Sequence, residues 1–148
     1  MLLRALRPLR AIVDAIADEA CARRIALGFA FGAMLGLLPK GNLTAVAVIV
    51  VLLSSQASLL AAAVGTVVFT LISPWMDPLA HRFGWALLNS DAARNVGPRL
   101  FDLPLAPWTA LNNTVVMGSL LLGLLLFYPM YWCAWGACER IFGPRRVR

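Results

Sequence analysis

Residues 37–44 read LLPKGNLT. Upstream lies the apolar run IALGFAFGAMLGLL (25–38), and downstream lies LTAVAVIVVLL (43–53). Proline and glycine are turn formers, so this tetrad, Pro39-Lys40-Gly41-Asn42, breaks one apolar stretch into two short ones. At 1.5 Å per residue the upstream run makes about 21 Å of helix and the downstream run about 17 Å. The hydrocarbon core of a bilayer is about 30 Å thick. Neither piece crosses it comfortably, and the fold depends on how the break is threaded.

The whole chain has the composition of a membrane protein. Hydrophobic residues make up 61% of its 148 residues and charged residues 14%, against about 45–50% and about 25% in a soluble domain. A 16.0 kDa globule has too little interior to hide that excess. Net charge is +6. The arginines cluster at the two ends, at Arg4, Arg7, Arg10, Arg23 and Arg24 and again at Arg140, Arg145, Arg146 and Arg148. The positive-inside rule accounts for them and places both termini in the cytoplasm. Nucleic-acid binding is excluded as an explanation of the basic charge. Arg4, Arg7, Pro8 and Arg10 interrupt any signal-peptide core. Cys21, Cys133 and Cys138 show no metal or disulfide spacing.

The expected fold is an all-α integral membrane protein with about three to four hydrophobic segments. Residues 1–24 form a cytoplasmic segment containing an amphipathic interfacial helix, with Leu9, Ile12, Val13, Ile16 and Ala20 at helical spacing. A single membrane domain covers 25–136. Within it, 25–53 form a helical hairpin, and SSQAS (54–58) marks a turn. Residues 57–73 span, ending at Pro74. Residues 75–107 make an external interfacial loop and helix, with 89–102 as loop. Residues 112–136 span again, and 137–148 form a basic cytoplasmic tail.

Two threadings of 25–53 stay open. In one, two short spans meet at an outer surface turn. In the other, a re-entrant hairpin turns inside the membrane and leaves by the side it entered, which the short half-lengths favour. A lysine at mid-membrane costs about 2.5–3.5 kcal/mol, and each unsatisfied backbone group several more. A tip at depth therefore requires cover from protein or a wet cavity, which implies a homo-oligomer or a membrane partner. Gly28, Gly32 and Gly36 form GxxxGxxxG on one helix face, a pattern that lets another backbone approach closely. The hairpin's second arm and another subunit are both candidates for that approach.

The break also offers chemistry. Asn42 and Thr44 sit where a helix begins, and a helix N-terminus favours anions. Among 13 lysines and arginines Lys40 is the one lysine, and lysine binds phosphate as a point charge. PWTALNNT (107–114) echoes the pattern: a proline, then Asn112, Asn113 and Thr114 opening an apolar helix. Paired interrupted segments point to a transport site, so Lys40, Gly41, Asn42 and Thr44 are expected on one side of a pocket and Asn112, Asn113 and Thr114 on the other. Asn and Thr are also ordinary helix caps. His81 is the sole histidine, which excludes a multi-histidine metal site; with Asp77 it reads as a solvated interfacial pair. No catalytic or nucleotide motif appears, and the main apolar runs carry no acidic residue, which argues against a proton-driven pump.

The blocks RRIALGFAFGAMLGLLPKGNL (23–43) and LNNTVVMGSLLLGLLLF (111–127) resemble an uncharacterised family of small bacterial membrane proteins related to the domain of unknown function twenty sixty-two. The resemblance covers roughly 22–136 and centres on ALGFAFGxxLGLLPKGN. It implies a fold class and no activity. Relatives in the broader group fused to glycosyltransferase-like domains, and neighbouring genes for a larger envelope protein, imply lipid-linked intermediates or a two-protein membrane complex. The expected function is non-enzymatic and without cofactor: an inner-membrane protein that recognises or helps translocate an anionic lipid or lipid-linked phosphate headgroup. The alternative is a structural or anchoring subunit of an envelope complex, docked through Gly28, Gly32 and Gly36.

Overall fold

A computed structural model describes residues 22–91, 93, 95, 102 and 104–142. The described residues form helices joined by turns and contain no strand. Helix α1 is Ala22–Leu37, α2 is Leu43–Ser54, α3 is Leu59–Leu88 and α4 is Thr114–Phe142, with a 3-10 turn at Pro107–Thr109. The expected amphipathic helix at 8–22 falls almost wholly outside the described residues.

Local chemistry sets most helix ends. Pro39 disfavours helical backbone at the residue before it, and α1 stops at Leu37. Asn42 caps α2, its Oδ1 accepting from the Ala45 N–H at 2.8 Å. Ser58 caps α3 in the same way, accepting from Ala61 N at 3.1 Å. Between α2 and α3 the expected SSQAS turn is present. The interior of α2, with Val46, Val48, Ile49, Val50 and Val51, is built from β-branched residues that form helices poorly in water.

Three boundaries differ from the sequence reading. Pro74 does not end the third segment: α3 runs for 30 residues through both Pro74 and Pro78. Each proline removes one backbone bond and crowds the preceding turn, but a helix can continue past it when neighbouring groups serve the freed carbonyl. Asp91, Ala93 and Asn95, expected in a loop, are helical, and the Ser90 hydroxyl accepts from Ala93 N at the start of that stretch. Helix α4 continues past residue 136 to Phe142, so the first part of the expected tail is helix.

Helix α1 packs between α3 and α4, whereas α2 touches α1 only weakly. Gly28 lies against the Ser58 backbone, Gly32 against Ala62, and Gly36 against Thr66 and Phe69, while Gly65 faces back to Phe29 and Gly32. This register makes α1 and α3 parallel. The glycine face is therefore filled by α3, neither by the second arm of the hairpin nor by another subunit. Ser58 N donates to Arg24 O at 2.9 Å, which pins the two helix starts together. Helix α4 runs the other way: Gly123 meets Met34, Phe127 stacks edge-on with Phe31 at 4.9 Å between centroids, and Cys138 clusters with Ala22, Ile25 and Ala61.

After the proline pair, α3 changes partner. Ala80 and Gly84 pack on the start of α4, where Gly84 meets Thr114 and Gly118 meets Ala80, backbone to backbone. Much of the remaining surface is apolar. Val46, Val50, Val51 and Leu53 of α2 and Val67, Leu71 and Trp75 of α3 are exposed. Helices Leu59–Leu88 and Thr114–Ile141 are long and apolar enough to cross a membrane, and only 17% and 28% of their most apolar windows are buried. A core helix of a soluble protein would bury most of such a window.

Candidate functional site

The break forms one wall of a cleft of about 580 Å³. Its polar end is Lys40, Gly41 and Asn42, and its apolar flank is Ala45, Val46 and Ile49 of α2. The opposite wall is Leu105 and Trp108. Gly41 has φ +97° with open space beyond its Cα. Backbone conformation, not crowding, is what calls for glycine at this turn.

Lys40 reaches across the break to α3. Its Nζ donates to Thr70 Oγ1 at 2.7 Å and to Gly36 O at 3.4 Å. An ammonium has three donors, so one N–H is free for a ligand. Neither partner is an anion, and the positive charge is not neutralised by them. Asn42 is engaged at both ends of its amide: besides capping α2, its Nδ2 donates to Pro39 O at 2.8 Å. Thr44 is buried, and its hydroxyl donates to Thr109 O at 2.7 Å. That bond fastens the 107–109 turn over the start of α2. Asn42 and Thr44 thus shape the site, while Lys40 and the N-terminal end of α2 carry its electrostatics.

The second set of expected residues lies elsewhere. Asn112 is exposed. Asn113 accepts from Val115 N at 2.8 Å as a cap. The Thr114 hydroxyl bonds to His81 Nδ1 at 2.7 Å. None of the three lines the cleft. The two breaks do meet, through Thr44 and Thr109, but the second contributes Trp108 and Leu105 where a polar asparagine wall was expected. Asp77 and His81 each have another partner, since Asp77 accepts from Ser73 Oγ at 3.3 Å.

Sequence reasoning missed Thr70, Leu105 and Trp108. Thr70 stands four residues before Pro74, so its main-chain carbonyl lacks a helical donor, and that spacing was a readable signal for an unusual position. Leu105 and Trp108 had no signal beyond a tryptophan near an apolar segment. Among the described residues no group of three His, Cys, Asp or Glu side chains is placed to hold a metal.

The fold and cleft define an all-α protein with two membrane-length helices and a cationic interruption between short apolar ones. The chain belongs to the family described as an uncharacterized protein conserved in bacteria (DUF2062), whose model matches residues 7–143. No curated protein and no solved structure matches it.

Proposed function

We propose that the chain is a non-enzymatic inner-membrane protein that binds, and helps to move, an anionic lipid or lipid-linked phosphate headgroup. The observation that carries this reading is the cleft: one cation and a helix start at one end, an apolar wall of Val46, Ile49, Leu105 and Trp108 along the rest. A phosphate suits the first and an acyl or prenyl chain the second.

A membrane setting is supported by the exposed apolar surface, which water would penalise at about 25 cal/mol per Å². Helices α3 and α4 span, and α1 and α2 go in and return. The positions of Arg23 and Arg24 and of Arg140 support cytoplasmic termini. With Arg23 and Arg24 at the polar boundary, the 16 residues of α1 rise about 24 Å. The break then lies in the far third of a core of about 30 Å, from which a lysine can extend to the outer interface.

The test is binding of a short-chain anionic phospholipid, and of its zwitterionic counterpart, to the protein purified in detergent. Lys40→Ala should lose about tenfold or more in preference for the anionic lipid, the roughly 1.5–3 kcal/mol of a charge-assisted bond, and Lys40→Arg should retain most of it. Equal affinity of all three forms for both lipids would remove the reading. The anchoring alternative keeps one supporting observation, the uncovered apolar face of α2; the glycine face proposed for docking is taken by α3.

A further inference from the structure

Lys40 belongs to the cleft by position, but its ammonium is held to one side of it. The two acceptors of Nζ are Thr70 Oγ1 at 2.7 Å and Gly36 O at 3.4 Å, and neither residue lines the cleft. Both belong to the seam between α1 and α3, where Gly36 lies against Thr66 and Phe69. The lysine is exposed, so packing does not fix it in that place.

The seam has reasons of its own to attract a cation. Gly36 O is one of the last four carbonyls of α1, which have no donor within the helix, and a lysine just past a helix end commonly serves them. Pro74 likewise deprives the Thr70 carbonyl of its helical donor. The hydroxyls of Ser54, Thr66 and Ser119 bond back to the carbonyl four residues earlier, a common arrangement inside helices. The Thr70 hydroxyl instead accepts from Lys40. Both acceptors are neutral, and one of the two bonds is long. A phosphate oxygen adds opposite charge to the bond, and a surrounding of low dielectric enlarges that gain.

We propose that Lys40 is a two-position switch: its ammonium rests on the α1–α3 seam at Thr70, and an anionic headgroup entering the cleft draws it off the seam. The inference rests on the headgroup reading of the Lys40 cleft and adds how that site is regulated. Thr70 is the positioning residue that withholds the cation. The apparent affinity is lowered in proportion to the fraction of molecules whose ammonium is off the seam. Release uncovers Gly36 O and the Thr70 hydroxyl, about one turn before Pro74, and beyond the prolines α3 packs on α4. Occupation of the cleft is thereby coupled to the tie between α1 and the proline-containing stretch of α3.

Because Lys40 is the one lysine, isotope labelling of lysine in the full chain, purified in detergent, gives a single Cε signal by NMR. That signal should move when a short-chain anionic phospholipid is added and stay in place with its zwitterionic counterpart. Thr70→Val removes the hydroxyl at nearly constant size. It should raise the preference for the anionic lipid about threefold or more, as expected when one competing hydrogen bond is lost, and displace the Cε signal before any lipid is added. Thr70→Ser keeps the hydroxyl and should match the parent in both readouts. A threonine that served only the packing of α1 on α3 would give the reverse, weaker binding on substitution. Equal or weaker binding by Thr70→Val, or a parent signal that saturating anionic lipid leaves in place, would overturn the switch, and the second readout needs no variant to fold. Lys40→Ala separates the two claims. If it loses the anionic preference while Thr70→Val gains none, the headgroup site stands and the switch falls; if it binds both lipids as the parent does, both fall.

Discussion

At the scale of single residues, the break works because each side chain in it has a different task. Asn42 ends the interruption by capping α2, Thr44 holds the neighbouring turn, and Lys40 bridges to α3. Gly41 supplies a φ of +97°, where a Cβ costs about 1–2 kcal/mol. Gly41→Ala should lower stability by about that much, read from thermal unfolding in detergent, and Gly41→Asn by less, since asparagine tolerates positive φ. Asn42→Ala should cost about 1 kcal/mol, as expected for a lost N-cap. If Gly41→Ala proved as stable as the parent, the turn would not hold the conformation described. These residue roles were partly legible beforehand. Pro, Gly and a helix cap are local signals, whereas the Lys40–Thr70 bond joins positions 30 residues apart and has no local signature.

At the scale of elements, close backbone approach organises the bundle. The GxxxGxxxG pattern of α1 announced such an approach in the sequence, because three small residues on one face have few other uses in an apolar helix. Its partner carries small residues at the same spacing, Ser58, Ala62 and Thr66, but without glycine the pattern does not stand out in an alanine- and serine-rich stretch. The continuity of α3 was not readable either. Pro74 and Pro78 look like stop signals because in water an interior proline costs about 3 kcal/mol. Splitting the helix there put Thr70 and Ser73 on one element and Asp77 and His81 on another, which hid that one helix carries both the Lys40 contact and the Thr114 contact.

The packing itself yields a contrast. Gly118 has the Ala80 backbone where its Cβ would be, and Gly136 has nothing within 4 Å. Gly118→Val should destabilise by about 1–3 kcal/mol or more through overpacking, separating α3 from α4. Gly136→Ala should be neutral or stabilising by up to about 1 kcal/mol, from helix propensity alone. Thermal unfolding of the two variants side by side checks both; similar losses in both would mean that the α3–α4 crossing is not as close as described.

At the scale of the whole molecule, the register of the helices fixes which ends lie together, and a membrane turns that register into sidedness. The start of α1 is tied to the start of α3 by the Ser58–Arg24 bond, and Arg24 Nε donates to Gln56 O at 2.8 Å in the turn before α3. Cys138 near the end of α4 packs at that same end. Gln56 and Glu139 are exposed there, and Trp108 and Asn113 are exposed at the opposite end. From Ser58 to Trp75 the helix rises about 26 Å, close to the thickness of a hydrocarbon core. A bilayer perpendicular to the bundle therefore separates the two sets of residues. With Cys21, Cys133 and Cys138 changed to serine, Gln56→Cys and Glu139→Cys should react with a membrane-impermeant thiol reagent only in inverted membrane vesicles, and Trp108→Cys and Asn113→Cys only in right-side-out ones. Labelling of all four from one face would mean that α3 and α4 do not span. A clean split with Gln56 on the Asn113 side would instead mean that α3 makes no net crossing between them, against the register that sets these residues at opposite ends of the bundle. The split also locates Lys40, because the break lies within a few turns of Thr109 and far along α1 from Arg24. A chain that sorts this way has its lone lysine nearer the face opposite Arg24 and Glu139, and an impermeant reagent should reach Lys40→Cys from the Asn113 side and not from the Gln56 side.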